Sequence, residues 1–387
     1  MQDRTLASGS TPLLSKDLFQ GLTGIAHLAA GGETPSLKSH IDTAARFLAD
    51  KAGGMPGRLR FNETLGRVRE KAGRLTGLSA GEIAFTANAS EGMSLAASQI
   101  RMTAGNNVVV ARSEFPSVLL SVQVLEQRGI EIRLIGDLIV PEIDDFAAAV
   151  DERTRAIVVS HVSYLTGARL DLGALRRLAD QYGARLLVDA SHSLGVMPVP
   201  GRLCDVVVSC CYKWLLGVHG CAVFGVNEER WPDLRPRVLG WNAVENNQDW
   251  RVRKSFRVRR DIARFEAGNP AFLSIYLLEN GIDHLLQVGE QRIASHVETL
   301  ASRLSEGLLE LGLPLVTPTA AKRRAGNVSI LAEAPAAAEQ ALRDCGVLVW
   351  AGEGRLRFSV HLYNDVADVE RCLAALATLE QARTLRA

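Results

Sequence analysis

The sequence lacks the features that would indicate a membrane protein, a secreted protein or a nucleotide-binding dehydrogenase. No apolar run approaches the about 18 residues of a membrane-spanning helix, and the opening residues MQDRTLASGSTPLL contain no apolar signal core. The net charge is only +1, which gives no support for a nucleic-acid or membrane partner. Glycine is common, yet no GxGxxG follows the first predicted strand, so a nicotinamide or flavin Rossmann site is not supported.

The cysteines lack the spacing of a zinc site or of a redox pair. Four of the six lie in one apolar stretch, and together they are Cys204, Cys210, Cys211, Cys221, Cys345 and Cys372. This pattern predicts reduced, buried thiols and no bound metal ion. We therefore predict a cytoplasmic protein.

Basic side chains are concentrated in one polar segment. They are Arg251, Arg253, Lys254, Arg257, Arg259 and Arg260. Two interpretations stay open, a solvated loop or helix face and the recruitment of an anionic substrate or a cofactor phosphate.

Short apolar runs alternate with helix-like stretches from about residue 66 to 226, and they predict seven strands. Runs that are apolar throughout and are separated by helices indicate a mostly parallel sheet with helices on both faces. The predicted strands are Glu82–Thr86, Asn107–Ala111, Glu131–Ile135, Arg155–Ser160, Arg185–Asp189, Asp205–Ser209 and Ala222–Val226.

The pattern changes after Ile275 and predicts a smaller α+β domain. A length of 387 residues also favours two domains over one. We predict a large domain at residues 25–265 and a small domain made of residues 1–24 and 266–387. The elements predicted for the second part are a long helix over Ile282–Glu310, strands near Val328–Leu331 and Leu356–Val360, and a final helix over Val366–Leu379.

Polar residues follow several of the predicted strands, where ligands of parallel sheets bind. Asp189 ends the apolar run ARLLVDA, and His192 comes three residues later. A carboxylate at this place either caps the following segment or pairs with a protonated pyridine nitrogen, which makes the ring an electron sink.

Lys213 lies in the apolar segment CCYKWLLGVHG. Desolvation disfavours a charged amine, so Lys213 is a candidate for a Schiff base, although a lysine with its charged end in solvent is the alternative. The presence of Asp189 at the preceding strand end favours the Schiff base. Ala89 and Ser90 open a helix after the first strand and form either a phosphate site or a simple cap.

Seven motifs occur in an order that resembles the class V aminotransferases, over roughly residues 60–380. This family includes cysteine desulfurases, selenocysteine lyases, kynureninases and isopenicillin-N-epimerase-like proteins. The resemblance implies a pyridoxal 5′-phosphate (PLP) cofactor, the α/β fold-type I architecture with a smaller α+β domain, and a homodimer with shared active sites. The motifs are FTANASEG, SEFPS, HVSYLTG, LLVDASHSLG, YKWLLG, RFEAGNP and LRFSVHLYN.

The resemblance also implies roles for single residues. Lys213 matches the Schiff-base lysine, Asp189 the partner of the pyridine nitrogen, and Arg357 the arginine that binds the substrate carboxylate. His192 and Tyr164 match positions beside the cofactor, and Phe115 matches the residue that stacks on it. The resemblance implies that the cofactor phosphate is contacted by Ala89, Ser90 and Tyr212. It implies that Gly268 and Asn269 reach the cofactor of the neighbouring subunit. Trp241 is implied to lie near the substrate.

The departures from the family patterns bear on the reaction. Cysteine desulfurases place a nucleophilic cysteine on a loop before the carboxylate-binding arginine, whereas GVLVWAGEGRLRF contains none. The sequence therefore favours an enzyme that acts on an amino acid through an external aldimine and a quinonoid, and that cleaves a C–S or C–C bond at Cβ without a catalytic cysteine. Transamination or epimerisation is the alternative, and a non-catalytic binding protein of the same fold is a third interpretation.

Overall fold

A computed structural model describes residues 11–136, 140–245 and 256–381, and a seven-stranded sheet forms its centre. The strand order is β2-β8-β7-β6-β5-β3-β4, and β8 alone runs antiparallel to its neighbours in this sheet. All seven strands predicted from the sequence are confirmed to within one residue at either end. They are β2 Ile83–Thr86, β3 Asn107–Ala111, β4 Glu131–Ile135, β5 Thr154–Ser160, β6 Arg185–Asp189, β7 Val206–Cys210 and β8 Ala222–Val226.

Both faces of this sheet are buried, which explains why its strands are apolar throughout. Alternate residues point to opposite faces. Val109 and Val159 belong to one core cluster, while Val108 and Val158 belong to another. The helices of this part are α1 His40–Ala52, α2 Gly54–Thr76, α3 Ala89–Gln99, α4 Pro116–Gln123, α5 Ile143–Ala149 and α6 Leu172–Gln181. Helix α1 packs on α2 and on α7 Phe272–Val288. The predicted layered α/β architecture is thus confirmed, although the sequence prediction contains neither α1 nor α2.

A second, smaller sheet has the order β11-β12-β9 and is antiparallel. A two-stranded parallel pair, β1 with β10, joins the N-terminal segment to the C-terminal part of the chain. These elements and their helices are β1 Ala26–His27, β9 Asn327–Leu331, β10 Val347–Leu348, β11 Trp350–Gly352, β12 Arg355–Ser359, α7 Phe272–Val288, α8 Glu290–Glu310, α9 Pro335–Asp344 and α10 Val366–Gln381.

Two predictions for this second part are corrected by the structure. The helix predicted over Ile282–Glu310 is interrupted, because Gly289 adopts a φ of +92° and separates α7 from α8. The segment before Arg357, predicted as a loop, forms a hairpin in which β11 pairs with β12. Glu353 and Gly354 make its two-residue turn with φ values of +52° and +70°.

The domain boundaries predicted at residues 24/25 and 265/266 stay a prediction. The packing on either side of them is clear. Ala26 pairs with Val347, and the Ser359 amide donates to the Leu28 carbonyl, so the chain just after residue 24 contacts the smaller sheet. In contrast, α7 packs against α1 and α2. Within the described residues, no helix has the length and apolarity required to cross a membrane.

Helix α7 also packs tightly against the loop that contains Lys213. Gly281 is the point of closest approach, because a Cβ atom there would lie 2.6 Å from the carbonyl oxygens of Leu215 and Leu216. The absence of a side chain at Gly281 therefore sets the distance between α7 and the lysine loop.

We predict that Gly281→Ala lowers the free energy of unfolding by about 1–3 kcal/mol, because overpacking separates α7 from Leu215 and Leu216. Denaturant unfolding measures this change. Gly66→Ala on α2 is the matched control, since a Cβ atom there meets nothing within 4 Å. Removing a glycine from that helix should stabilise the protein by about 0.4–1 kcal/mol. Equal effects of the two substitutions would contradict the packing argument.

Candidate active site

A pocket lies at the carboxyl ends of β5, β6 and β7, where the central sheet meets the loop between β7 and β8. The cleft contains about 510 Å³ of space between protein atoms, part of which is open to solvent. Most of the residues predicted to bind the cofactor meet here. The lining residues are Asn88, Ala89, Ser90, Phe115, Ser117, Ser160, Val162, Tyr164, Asp189, Ser191, His192, Cys210, Tyr212 and Lys213.

Lys213 is buried and contacts His192. Its Nζ lies 3.1 Å from His192 Nε2, and His192 Nδ1 lies 2.8 Å from the side-chain nitrogen of Asn327 at the start of β9. Burial lowers the pKa of His192 well below its usual range, and the positive charges of Lys213 and Arg357 act in the same direction. The imidazole is therefore neutral at physiological pH.

Asp189 occupies the last position of β6 and is 5% exposed. Its Oδ1 accepts a hydrogen bond from the Ser191 amide at 2.8 Å. Burial raises the pKa of this carboxyl, while the Ser191 hydrogen bonds and the charge of Lys213 oppose that rise. A cationic partner in the pocket would lower the cost of burying its charge.

A second buried carboxyl lies behind the pocket. Glu114 accepts hydrogen bonds from the amide and the hydroxyl of Ser160. Burial raises the pKa of Glu114 to about 7, and the negative charge of Asp189 contributes to the rise. Glu114 thereby fixes the end of β5 next to Asp189.

The N-terminus of α3 lines another wall of the pocket. Asn88 caps the helix by accepting from the Glu91 amide at 2.9 Å, and Ser90 Oγ lies 2.7 Å from Ser117 Oγ. The first amides of a helix have no acceptor within the helix, so those of Ala89 and Ser90 are available to an anion.

Aromatic side chains surround the lysine amine. The Phe115 and Tyr212 rings each have their centroid 5.7 Å from Lys213 Nζ. Tyr164 packs edge-on against Phe115 at 5.0 Å, and His219 stacks on Tyr212 at 4.0 Å. A flat apolar wall of this kind suits a planar ring.

Arg357 lies on β12, contacts the backbone of Tyr164 and is 3% exposed. Its Nη1 donates to the Tyr164 carbonyl at 2.8 Å, and its guanidinium stacks 4.6 Å from the Trp350 ring. Burial lowers the pKa of Arg357 to about 10. Its Nε has no hydrogen-bond partner among the described residues, so the guanidinium retains a donor for a carboxylate.

The hairpin turn closes this side of the site. The Tyr164 hydroxyl lies 3.0 and 3.1 Å from the two carboxylate oxygens of Glu353 and donates to them. Burial and this carboxylate raise the pKa of Tyr164 above its usual range. An acidic side chain, rather than a thiol, therefore stands on the hairpin next to the pocket.

The chain matches a known protein family over most of its length. The sequence model of the class-V aminotransferases matches residues 57–372, which is most of the chain. The protein belongs to the class-V aminotransferase family. It is therefore a PLP-dependent enzyme, and the fold-type I architecture that the sequence implied is confirmed.

Relatives of this class-V protein carry more than one activity in their names. A probable cysteine desulfurase of Methanothermobacter thermautotrophicus is 32% identical over 246 residues, 62% of this chain and 60% of the relative. A kynureninase of Burkholderia pseudomallei is 30% identical over 341 residues, 83% of this chain and 80% of the relative. The solved apo structure of a Thermococcus onnurineus cysteine desulfurase aligns with a TM-score of 0.84 at 23% identity, covering 93% of this chain and 96% of that one.

The residues of the pocket fit PLP. The buried carboxyl of Asp189 suits a ring N–H donor, the amides at the start of α3 suit a phosphate, and Lys213 supplies the amine. The buried, unpartnered Nε of Arg357 suits the carboxylate of an amino acid. These assignments to single residues remain predictions.

Four predicted residues of the class-V site do not line this pocket: Arg357 on β12, and Trp241, Gly268 and Asn269. Trp241, Gly268 and Asn269 lie beside one another on the surface. The Arg58 guanidinium lies 5.9 Å from the Trp241 ring centroid and donates to Asn269 Oδ1 at 2.5 Å. Among the described residues, the hydrogen bonds and ring contacts of Lys213 involve His192, Phe115 and Tyr212, and do not involve Trp241, Gly268 or Asn269.

The basic segment is only partly described. Arg251, Arg253 and Lys254 lie outside the described residues. Arg257 pairs with Glu245 at 3.1 Å, and Arg259 pairs with Asp261. These two pairs are typical of a solvated surface.

Ser117, Asn327 and Glu353 are among the residues at the site for which no role was predicted from the sequence. Ser117 was inside the motif SEFPS and could have been proposed as a partner of Ser90. Asn327 and Glu353 gave no local signal, because their distance in sequence from Lys213 and Tyr164 hides the contacts that the fold creates.

Proposed function

We propose that this class-V enzyme cleaves a C–S or C–C bond at Cβ of an amino acid without a catalytic cysteine. The observation that supports the proposal is the hairpin of β11 and β12. It occupies the segment before Arg357, and its turn carries Glu353 instead of a thiol. Relatives named cysteine desulfurase and kynureninase are compatible with either bond.

The environments of the cysteines support this proposal. Five of the six are buried, and only Cys345, at the C-terminal end of α9, is exposed. Cys210 is the one cysteine lining the pocket, and burial raises its pKa. Burial also raises the pKa of Cys211 well above the usual range. A thiol with a raised pKa carries little thiolate and is a poor nucleophile.

Each of the groups at this site has a role in the proposed reaction. PLP, when bound, supplies an electron sink for the charge left on the substrate Cα. In our proposal Arg357 holds the substrate carboxylate, and the Lys213 amine moves the proton at Cα. Asp189 holds the ring nitrogen of the cofactor, and the α3 amides hold its phosphate. Cleavage of a cysteine conjugate then releases a thiol, and water completes the products pyruvate and ammonium.

We further propose a homodimer with shared active sites, in a cytoplasmic setting. Large apolar side chains are exposed along α1 and α2, as on a surface that a second copy would cover. They are Ile41, Leu48, Met55 and Leu59. Arg58 connects this surface to Trp241 and Asn269, which could therefore reach the neighbouring pocket. The six unpaired cysteines are compatible with a reducing compartment.

We expect borohydride reduction of the holoenzyme to attach the cofactor to Lys213, because this is the amine of the pocket. Peptide mapping by mass spectrometry checks the position. Lys213→Ala should purify without the visible absorption band and without turnover, whereas Lys322→Ala, at an exposed position, should retain both. An adduct on any other lysine would overturn the assignment.

We expect Cys210→Ala and Cys345→Ala to keep turnover within about twofold of the parent enzyme, because neither thiol acts as a nucleophile. A screen of amino acids and cysteine conjugates, measuring keto acid, ammonium and released thiol, provides the assay. Ammonium formed in step with the keto acid supports a lyase, and keto acid that requires an amino-group acceptor supports a transaminase. A persulfide on one cysteine whose removal abolishes sulfur release would show a desulfurase.

The shared site predicts complementation between two inactive variants. Lys213→Ala and Asn269→Ala should each be inactive alone, and random pairing of the two chains should restore about one quarter of the parent activity. Half of such dimers are mixed, and each mixed dimer holds one intact site of two. Sedimentation confirms that both variants still dimerise. No recovery, full activity of Asn269→Ala, or a fully active monomer would contradict the shared site.

A further inference from the structure

A buried chain of polar groups joins the smaller sheet to the lysine. Asn327 at the start of β9, His192 after β6 and Lys213 after β7 are 0%, 6% and 8% exposed. The Asn327 side-chain nitrogen lies 2.8 Å from His192 Nδ1, and His192 Nε2 lies 3.1 Å from Lys213 Nζ. Asn327 belongs to the smaller sheet, whereas His192 and Lys213 follow strands of the central sheet. The contact between Asn327 and His192 therefore depends on how the two sheets pack together.

The direction of these hydrogen bonds is set by Ser359, which contacts Asn327 on the side away from His192. Ser359 Oγ lies 2.8 Å from Asn327 Oδ1 and has no other hydrogen-bond partner among the described residues. Its buried hydroxyl proton therefore needs Oδ1 as the acceptor. With Oδ1 facing Ser359, the amide NH₂ group of Asn327 faces His192 and donates to Nδ1.

Asn327 is closely packed on both sides. A Cβ atom at Gly31 would lie 2.6 Å from Asn327 Oδ1 and 2.7 Å from Ser359 Oγ. A Cβ atom at Gly167 would lie 2.2 Å from the Asn327 carbonyl oxygen. Two glycines thus allow the backbone to close around Asn327 on both sides.

A neutral imidazole carries one ring proton, and the atom that accepts a hydrogen bond does not hold it. Since His192 Nδ1 accepts from Asn327, the proton lies on Nε2, which faces Lys213. Burial favours the neutral ring, and the positive charge of Arg357 acts in the same direction.

We propose that Asn327 is a positioning residue that holds His192 in the Nε2–H tautomer, so that a hydrogen-bond donor always faces the Lys213 nitrogen. A donor there favours the unprotonated nitrogen over the protonated one. The unprotonated amine is the form that can take a proton from a substrate Cα. The catalytic part of this inference rests on the proposed role of Lys213, whereas the tautomer itself does not.

The tautomer can be measured in the cofactor-free protein by ¹⁵N NMR of labelled histidine. We expect His192 to show a protonated Nε2 and an unprotonated Nδ1, assigned by the loss of its signals in His192→Gln. Asn327→Asp should reverse the direction of the hydrogen bond to His192 Nδ1, because a carboxylate only accepts. The His192 proton should then move to Nδ1, or both ring nitrogens should be protonated. A wild-type signal with the proton on Nδ1 would overturn the inference without any variant of Asn327.

Asn227→Asp is the matched control for placing a carboxylate at a buried asparagine. Asn227 is 2% exposed and donates to the Arg202 carbonyl at 3.0 Å, at the opposite end of the sheet from Lys213. It should leave the His192 signals unchanged. An unchanged tautomer in Asn327→Asp, or the same change in both variants, would contradict the role of Asn327.

A second readout uses the holoenzyme and its visible absorption between pH 5 and 10. Asn327→Asp should raise the midpoint of the pH-dependent band by about one unit or more, because an acceptor or a new negative charge favours the protonated nitrogen. Asn227→Asp should not move the midpoint. If the tautomer is as expected but borohydride labels another lysine, the proposed function fails and the inference about His192 stands. If His192 has the expected tautomer but the midpoint of the band does not move in Asn327→Asp, the proposed effect of His192 on the Lys213 nitrogen is refuted.

Discussion

The structure depends on the burial of polar side chains at the carboxyl edge of an apolar sheet. Lys213, Asp189 and His192 are all nearly removed from solvent, although such groups are strongly hydrated when exposed. Each has a specific partner: His192 contacts both Lys213 and Asn327, and the Ser191 amide donates to Asp189. Strand β6 supplies Asp189, the segment after β6 supplies His192, and the loop after β7 supplies Lys213. The smaller sheet completes the hydrogen bonding through Asn327.

The hairpin before Arg357 connects three residues at one side of the pocket. Glu353 and Gly354 adopt left-handed backbone conformations, a conformation that is unfavourable for glutamate. The Glu353 carboxylate accepts a hydrogen bond from the Tyr164 hydroxyl, and the Tyr164 carbonyl accepts one from Arg357. The turn, the aromatic wall and the buried guanidinium thus form one connected unit. A substitution in the turn would disturb the position of Arg357 even though Glu353 itself is exposed.

Sequence reasoning was most successful where one physical rule dominated. The seven strands were predictable because burial on both faces requires continuous apolar runs, as in VVVA and LLVDA. The break at Gly289 was missed because a glycine within an amphipathic pattern does not reveal its φ angle. Helix α2 was missed as well, because its long polar face obscures the apolar periodicity by which a helix is predicted. Its packing against α7 stabilises this helix in the folded protein.

By itself, the sequence determined the family, the cofactor and the strand ends on which Asp189 and Lys213 lie, because short motifs encode local geometry and chemistry. Only the tertiary structure decided which residues complete the site. It brought Asn327 to His192 and Glu353 to Tyr164, and it placed Trp241, Gly268 and Asn269 away from the pocket of their own chain. These contacts join residues far apart in sequence, and their distances follow from the packing of one sheet against another, which no local pattern records.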